Sequence, residues 1–102
     1  MERPFVSDKI SEFVEIRTFL SSISEEELKW HWDEEDREIE AVEKTDWMFQ
    51  FDNDLPVEIN KKIFIHKGVI HRIIKGNEDL KLKITKWPIQ SLSTPALMSV
   101  GL

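Results

Sequence analysis

Apolar and polar residues alternate with a period of two along much of this chain, and that alternation is the mark of strands with one buried face. It is cleanest near the C-terminal third, where Leu80, Leu82 and Ile84 interleave with Lys81, Lys83 and Thr85. "DWMFQFD" behaves the same way, setting Trp47, Phe49 and Phe51 on one face and Met48 and Gln50 on the other. "EIEAVE", a buried run at 63–65 and another at 70–74 complete the series of strands. The breaks between them carry turn chemistry: "DEEDR" is too charged to be anything else, "DNDLP" offers Asn and Asp for αL geometry, and Lys67-Gly68 and "KGNED" close the later ones. Short strands at this spacing predict an all-β sandwich or barrel.

Two regions break the rule. Residues 7–24 read both ways: Ile10, Phe13, Val14 and Leu20 have helical spacing, whereas Val14, Ile16, Thr18 and Leu20 alternate, and a strand over 14–20 is preferred. Ser24 followed by Glu27 is a capping-box pattern and predicts a single helical turn. After Lys86 the period is lost. The tail still carries Ile89, Leu92, Leu97, Met98 and Leu102, so it is expected to pack on its own barrel or on a partner subunit.

Length and composition narrow the classes. A chain of 102 residues holds one domain, and a domain so small gains from dimerisation, so a homodimer is expected. With 40% hydrophobic and 33% charged residues it is globular rather than disordered. A net charge of −6 argues against a nucleic-acid partner, although Lys61, Lys62, Lys67, Arg72 and Lys75 cluster locally. The absence of cysteine excludes disulfides and thiolate ligands and fits a cytoplasmic protein. "MERPFVSDKI" shows no secretory signal, and no apolar run is long enough to span a membrane.

The candidate chemistry lies in one His and acid constellation. His31 and Asp33, two apart, share a face if that segment is extended. Glu38 begins the next strand, where an antiparallel hairpin would bring it opposite the pair, and His71 follows the Gly68 turn. Two imidazoles and two carboxylates converging in a barrel suit Fe(II), Mn(II), Ni(II) or Zn(II). Glu40 and Gln50 have the alternation to face the same lumen as pocket residues. The bland alternative is that both histidines are ordinary polar residues at strand ends and that Asp33 only opens the solvated "DEED" turn. If Asp33 and Glu38 do face inward, a bound cation, a raised pKa or a basic neighbour such as Arg37 must compensate them. His66 is expected on an outer turn, and Trp30, Trp32 and Trp47 in the core or an interface. No Ser-His-Asp or Cys-His nucleophile pattern is present, and no Gly-rich phosphate loop.

On these residues the chain resembles the cupins, small double-stranded β-helix barrels. "HWDEEDREIEAVEKT" stands where their first motif would, with His31 and Glu38 in place, and "NKKIFIHKGVIHRIIK" where their second would, with Gly68 and His71. Glu25, Thr45 and Asn60 occupy glycine positions of the motifs, His66 a proline position and Lys75 an asparagine position; Asp33 replaces the second metal histidine. "WHWDEEDRE", "DWMFQFDNDLP" and "KGVIHRIIKGNEDLKLKI" are similar to a group of small single-domain cupins in which the W-H-x-D pattern is normal. The resemblance implies an all-β jelly-roll barrel with a short N-terminal helical turn, one domain over residues 1–102 with its core at about 27–86. It also implies a divalent metal held by His31, Asp33, Glu38 and His71, with a small organic acid or sugar as ligand. Because cupins span enzymes and plain binding modules, a non-catalytic pocket with an eroded metal site stands as the alternative.

Overall fold

The computed structural model describes residues 4–88 and consists of eight strands and one 3₁₀ turn. The strands are β1 (Val6–Lys9), β2 (Val14–Phe19), β3 (Asp36–Ala41), β4 (Met48–Phe51), β5 (Val57–Glu58), β6 (Ile63–Ile65), β7 (His71–Ile74) and β8 (Leu80–Trp87). They form a five-stranded sheet of order β1-β2-β8-β3-β6 and a three-stranded sheet of order β5-β4-β7, every pairing antiparallel. This is an all-β arrangement of two sheets, as the alternation predicts, and it agrees with the jelly roll that the resemblance implies. The expected packing of the tail concerns residues 89–102, which lie outside the described residues.

The core fills the space between the sheets. Leu80, Leu82 and Ile84 of β8 are buried while Lys81 and Lys83 are exposed, as the period-two reading requires. Ile39, Phe49, Ile59, Ile65 and Phe19 meet them from the other strands. Trp47, just ahead of β4, is fully buried; its backbone N–H donates to Thr45 Oγ1 at 3.0 Å and its indole N–H to the Glu78 carbonyl. Of the three tryptophans expected in a core or an interface, Trp47 takes the core. Trp30 and Trp32 are exposed, Trp30 lying under the Arg72 guanidinium at 4.3 Å.

Turn chemistry also lands where expected. Asn53 in "DNDLP" has φ 73° and Gly68 has φ 80°, the left-handed conformation that Asn and Gly adopt at least cost. The helical turn is Glu25–Glu27, with Ser24 Oγ accepting from the Glu26 N–H at 3.2 Å, one residue earlier than a capping box would place it. β1 was not anticipated: "VSDK" is polar and wholly exposed, and it forms only because β2 offers it an edge.

In β2 the fold decides which face is inner. Glu15, Arg17 and Phe19 point between the sheets, whereas Val14, Ile16 and Thr18 lie on the other face. The polar half of the strand therefore looks inward, toward a cavity.

Candidate metal centre

His31 lies in no strand. It is joined to the first residue of β7 by a single antiparallel bridge in which the His31 N–H donates to the His71 carbonyl at 3.0 Å and the His71 N–H donates to the His31 carbonyl at 2.9 Å. Such reciprocally bonded residues stand directly opposite and send their side chains to the same face. The imidazoles accordingly meet edge to face, ring centroids 4.3 Å apart. Two residues on, the Gly68 N–H donates to the Asp33 carbonyl at 2.9 Å, which aligns Asp33 with the histidines. Asp36 Oδ1 accepts from the Lys67 N–H at 2.8 Å and fastens the far end of the segment.

Each imidazole is oriented by its own backbone. Nδ1 of His71 lies 2.8 Å from the Val69 carbonyl and Nδ1 of His31 lies 3.1 Å from the Lys29 carbonyl. A neutral ring donating through Nδ1 keeps its lone pair on Nε2, the arrangement in which a second partner fixes the tautomer of a metal ligand. Both Nε2 atoms face Asp33, that of His71 3.3 Å from Oδ2 and that of His31 4.0 Å from Oδ1. Donor atoms of the three residues lie within 4.8 Å of one another. A single ion holds its ligands within about 4.2 Å of each other; the half-exposed ring of His31 has the freedom to close the difference.

Asp33 is the electrostatic centre of the group. Burial pushes its carboxyl up, but the His71 ring, the Arg37 guanidinium and the His31 ring outweigh that and hold it below the ordinary aspartate range. Arg37 Nη2 approaches Oδ1 at 3.4 Å. Oδ2 is buried, and the polar atom facing it is Nε2 of His71 at 3.3 Å, with no hydrogen bond of ordinary geometry formed. Leaving a buried carboxylate oxygen poorly satisfied costs on the order of 1–3 kcal/mol, so a carboxylate set among two imidazoles fits a cation.

The remaining expected site residues go elsewhere. Glu38 sits on the outer face of β3, one position from inward-facing Ile39; it is registered with Phe64 and Thr85, and Lys62 Nζ lies 3.6 Å from its Oε2. The anticipated hairpin between residues 31–33 and β3 does not form, because residues 31–33 dock on 68–71 while β3 pairs with β6 and β8. Glu38 is thus separated from the other three. Glu40 shares its outer face and borders a surface groove with Glu58 and Lys61. Gln50 lies opposite Arg72 on the outside of the smaller sheet, accepting from Arg72 Nε at 3.0 Å and donating to the Asp54 carbonyl at 2.9 Å. His66 is exposed, as expected.

The three convergent residues open onto a cavity of about 320 Å³ between the sheets, walled by Phe19, Ile39, Phe49, Ile65, Leu82 and Ile84. Arg17 and Arg37 also line it. Arg37 was foreseen as a basic neighbour of the acids; Arg17 was not, although its alternation with Glu15 and Phe19 was the available signal.

Comparison with solved structures shows likeness of fold. The chain superposes on FeII HppE with a TM-score of 0.55 and 14% identity, over 72% of this chain and 41% of that one. A chain from the structures of the DMSP lyases RdDddP and RnDddQII gives 0.59 and 14%, over 80% and 40%. A cupin domain from Bordetella pertussis gives 0.51 and 13%, over 85% and 98%. The chain therefore spans less than half of the first two and nearly all of the third. No protein-family profile and no curated protein sequence matches it.

Proposed function

With the cupin fold as its frame, we propose that this protein binds one divalent metal ion through His31 Nε2, Asp33 Oδ2 and His71 Nε2, and that the ion faces a pocket for a small organic molecule. Two histidines and one carboxylate form the facial set that leaves coordination positions open, as is typical of non-haem iron and related sites. The observation that carries this reading is the buried Asp33 carboxylate, its Oδ2 3.3 Å from Nε2 of His71 and its Oδ1 4.0 Å from Nε2 of His31, with both imidazoles tied back through Nδ1. Asp33 replaces the histidine of the familiar motif and supplies a negative charge that a divalent ion neutralises. The likeness of fold to FeII HppE supports the compatibility of this fold with such an ion.

A bound ion would supply Lewis-acid polarisation of a substrate oxygen. The chain's own residues do the rest. Arg37 holds Oδ1 and thereby leaves Oδ2 turned toward His71. The Val69 and Lys29 carbonyls keep both rings in one tautomer. The apolar walls exclude water from the inner end of the cavity, which strengthens every charge interaction inside it.

One observation favours the binding-only alternative. The Arg37 contact already offsets much of the Asp33 charge, so the pocket can stand without an ion and act as a plain receptor for a small ligand. Metal analysis of protein purified without a chelating tag separates the two readings. The wild type and Glu38→Gln are expected to retain close to one equivalent of Fe(II), Mn(II), Ni(II) or Zn(II) and to gain thermal stability from it, while His71→Ala retains none. Equal and trivial metal content in wild type and His71→Ala overturns the proposal.

A further inference from the structure

Arg17 is almost enclosed, its side chain 14% exposed on the inward face of β2, and its guanidinium carbon lies 4.1 Å from the centre of the Phe5 ring. Among the described residues its one hydrogen-bond acceptor is Glu15, reached through Nε. That leaves Nη1 and Nη2, the end-on fork that fits a carboxylate with two parallel bonds, for the cavity that Arg17 lines.

Charge balance gives the fork something to do. Glu15 is shared: its Oε1 lies 3.0 Å from Lys86 Nζ, and its Oε2 accepts from both Arg17 and Ser7. One carboxylate therefore serves two cations, and a positive charge is left over at this end. The other end is the reverse, since Arg37 serves two carboxylates, Asp33 and Glu35. The charged residues lining the cavity are Arg17, Lys29, Arg37, Glu27 and Asp33, so both signs reach it. The Asp33 and Arg37 charges both act on Arg17, so the two ends belong to one field. Glu15 is divided between Arg17 and Lys86 and meets Arg17 through Nε, so a second carboxylate on the Nη fork would complete the charge balance at this end.

We infer that Arg17 is the specificity residue of the pocket, taking the carboxylate of a small organic acid on its Nη fork while the acid's apolar body lies along Phe19, Phe49 and Leu82. The substrate class is thus a short carboxylic acid rather than a sugar: the walls supply few of the hydrogen-bonding groups that a polyol needs, and the polar groups sit at two separated charged ends. In the metal-bound protein the end of the acid remote from its carboxylate would face His31, Asp33 and His71. This last orientation rests on the metal reading above; the carboxylate preference does not.

Binding is measured by calorimetry and thermal shift on protein treated with a chelator and on metal-loaded protein. The probes are the carboxylates from propanoate to hexanoate, succinate, the matching neutral amides and glucose. At least one carboxylate is expected to bind both forms, its amide roughly tenfold or more weakly, and glucose not at all. Arg17→Met should lose the acid-over-amide preference while keeping the wild-type metal content. If Arg17→Met does not fold, Arg17→Lys decides: it keeps the charge beside Glu15 but not the fork, and should retain only part of the preference. Amides that bind as tightly as acids, no carboxylate binding at all, or full preference in the Arg17 variant would overturn the inference. A His71→Ala protein that holds as much metal as the wild type but still prefers acids would sink the metal reading and leave this one standing.

Discussion

Glu15 is 8% exposed, yet its carboxyl is held down to about 2. Burial alone would raise it; hydrogen bonds from Arg17, Lys86 and Ser7 reverse the sign. A carboxyl whose folded value lies below its unfolded 4.5 contributes stability that is fully present above pH 4.5 and is lost as the pH falls through about 2. Over that window the group is worth roughly 3 kcal/mol. Urea unfolding above and below the window should show that loss in the wild type and a visibly flatter acid limb in Glu15→Gln; identical slopes would remove Glu15 as the acid-sensitive group. At this scale the sequence is only partly legible. His31, Asp33 and His71 are identifiable as candidates from residue type and spacing, but Glu15 and Arg17 look like the solvent side of a strand. Their role depends on which face of β2 the fold turns inward.

Among the elements, the connection from β7 to β8 and the turn before β7 make opposite demands on glycine. A Cβ on Gly76 would lie 2.1 Å from Asp46 Oδ1 and 2.7 Å from Trp47 Cδ1, while that Asp46 carboxylate is engaged by the Asn77 backbone N–H and, at 2.8 Å, by its side-chain amide. Gly76→Ala must break that latch or displace Trp47, and should cost about 2–3 kcal/mol. Gly68 has open space around its missing Cβ and is required only for φ 80°, so Gly68→Ala should cost nearer to 1–2 kcal/mol. Urea midpoints for both variants check the order, and a Gly68 variant less stable than the Gly76 variant would contradict the steric argument. The Gly68 turn was readable from Lys67-Gly68 between two apolar runs. The Gly76 requirement was not, since its neighbours come from residues 46 and 47, thirty positions away in the chain.

For the whole molecule, one indole carries a large share of the packing. Trp47 is fully buried, packs on Phe19 with ring centroids 6.0 Å apart, and belongs to the same buried cluster as Leu80. Replacing such a side chain by alanine typically costs about 3–5 kcal/mol, against a total of roughly 5–15 kcal/mol for natural domains, where small ones fall at the low end. Trp47→Ala is therefore expected to lose most of its cooperative thermal transition; a melting curve with wild-type midpoint would show the core to be more redundant than its packing suggests. Trp47→Phe should fall between, because it fills most of the volume but leaves the Glu78 carbonyl without the indole donor.

What the sequence determined by itself was periodicity: which residues lie on the same side of each strand, where the chain must turn, and that the whole is an all-β sandwich or barrel. Alternation cannot say which of the two sides is inside or which strand lies next to which. Those were decided by backbone hydrogen bonds between distant segments. The 31–33 stretch docks on 68–71 rather than on β3, which brings Asp33 between two histidines and leaves Glu38 outside with Lys62. β2 turns its charged half inward because Glu15 finds Lys86 and Arg17 there to neutralise it. Both outcomes rest on partners far apart in the chain, and a local pattern holds no information about them.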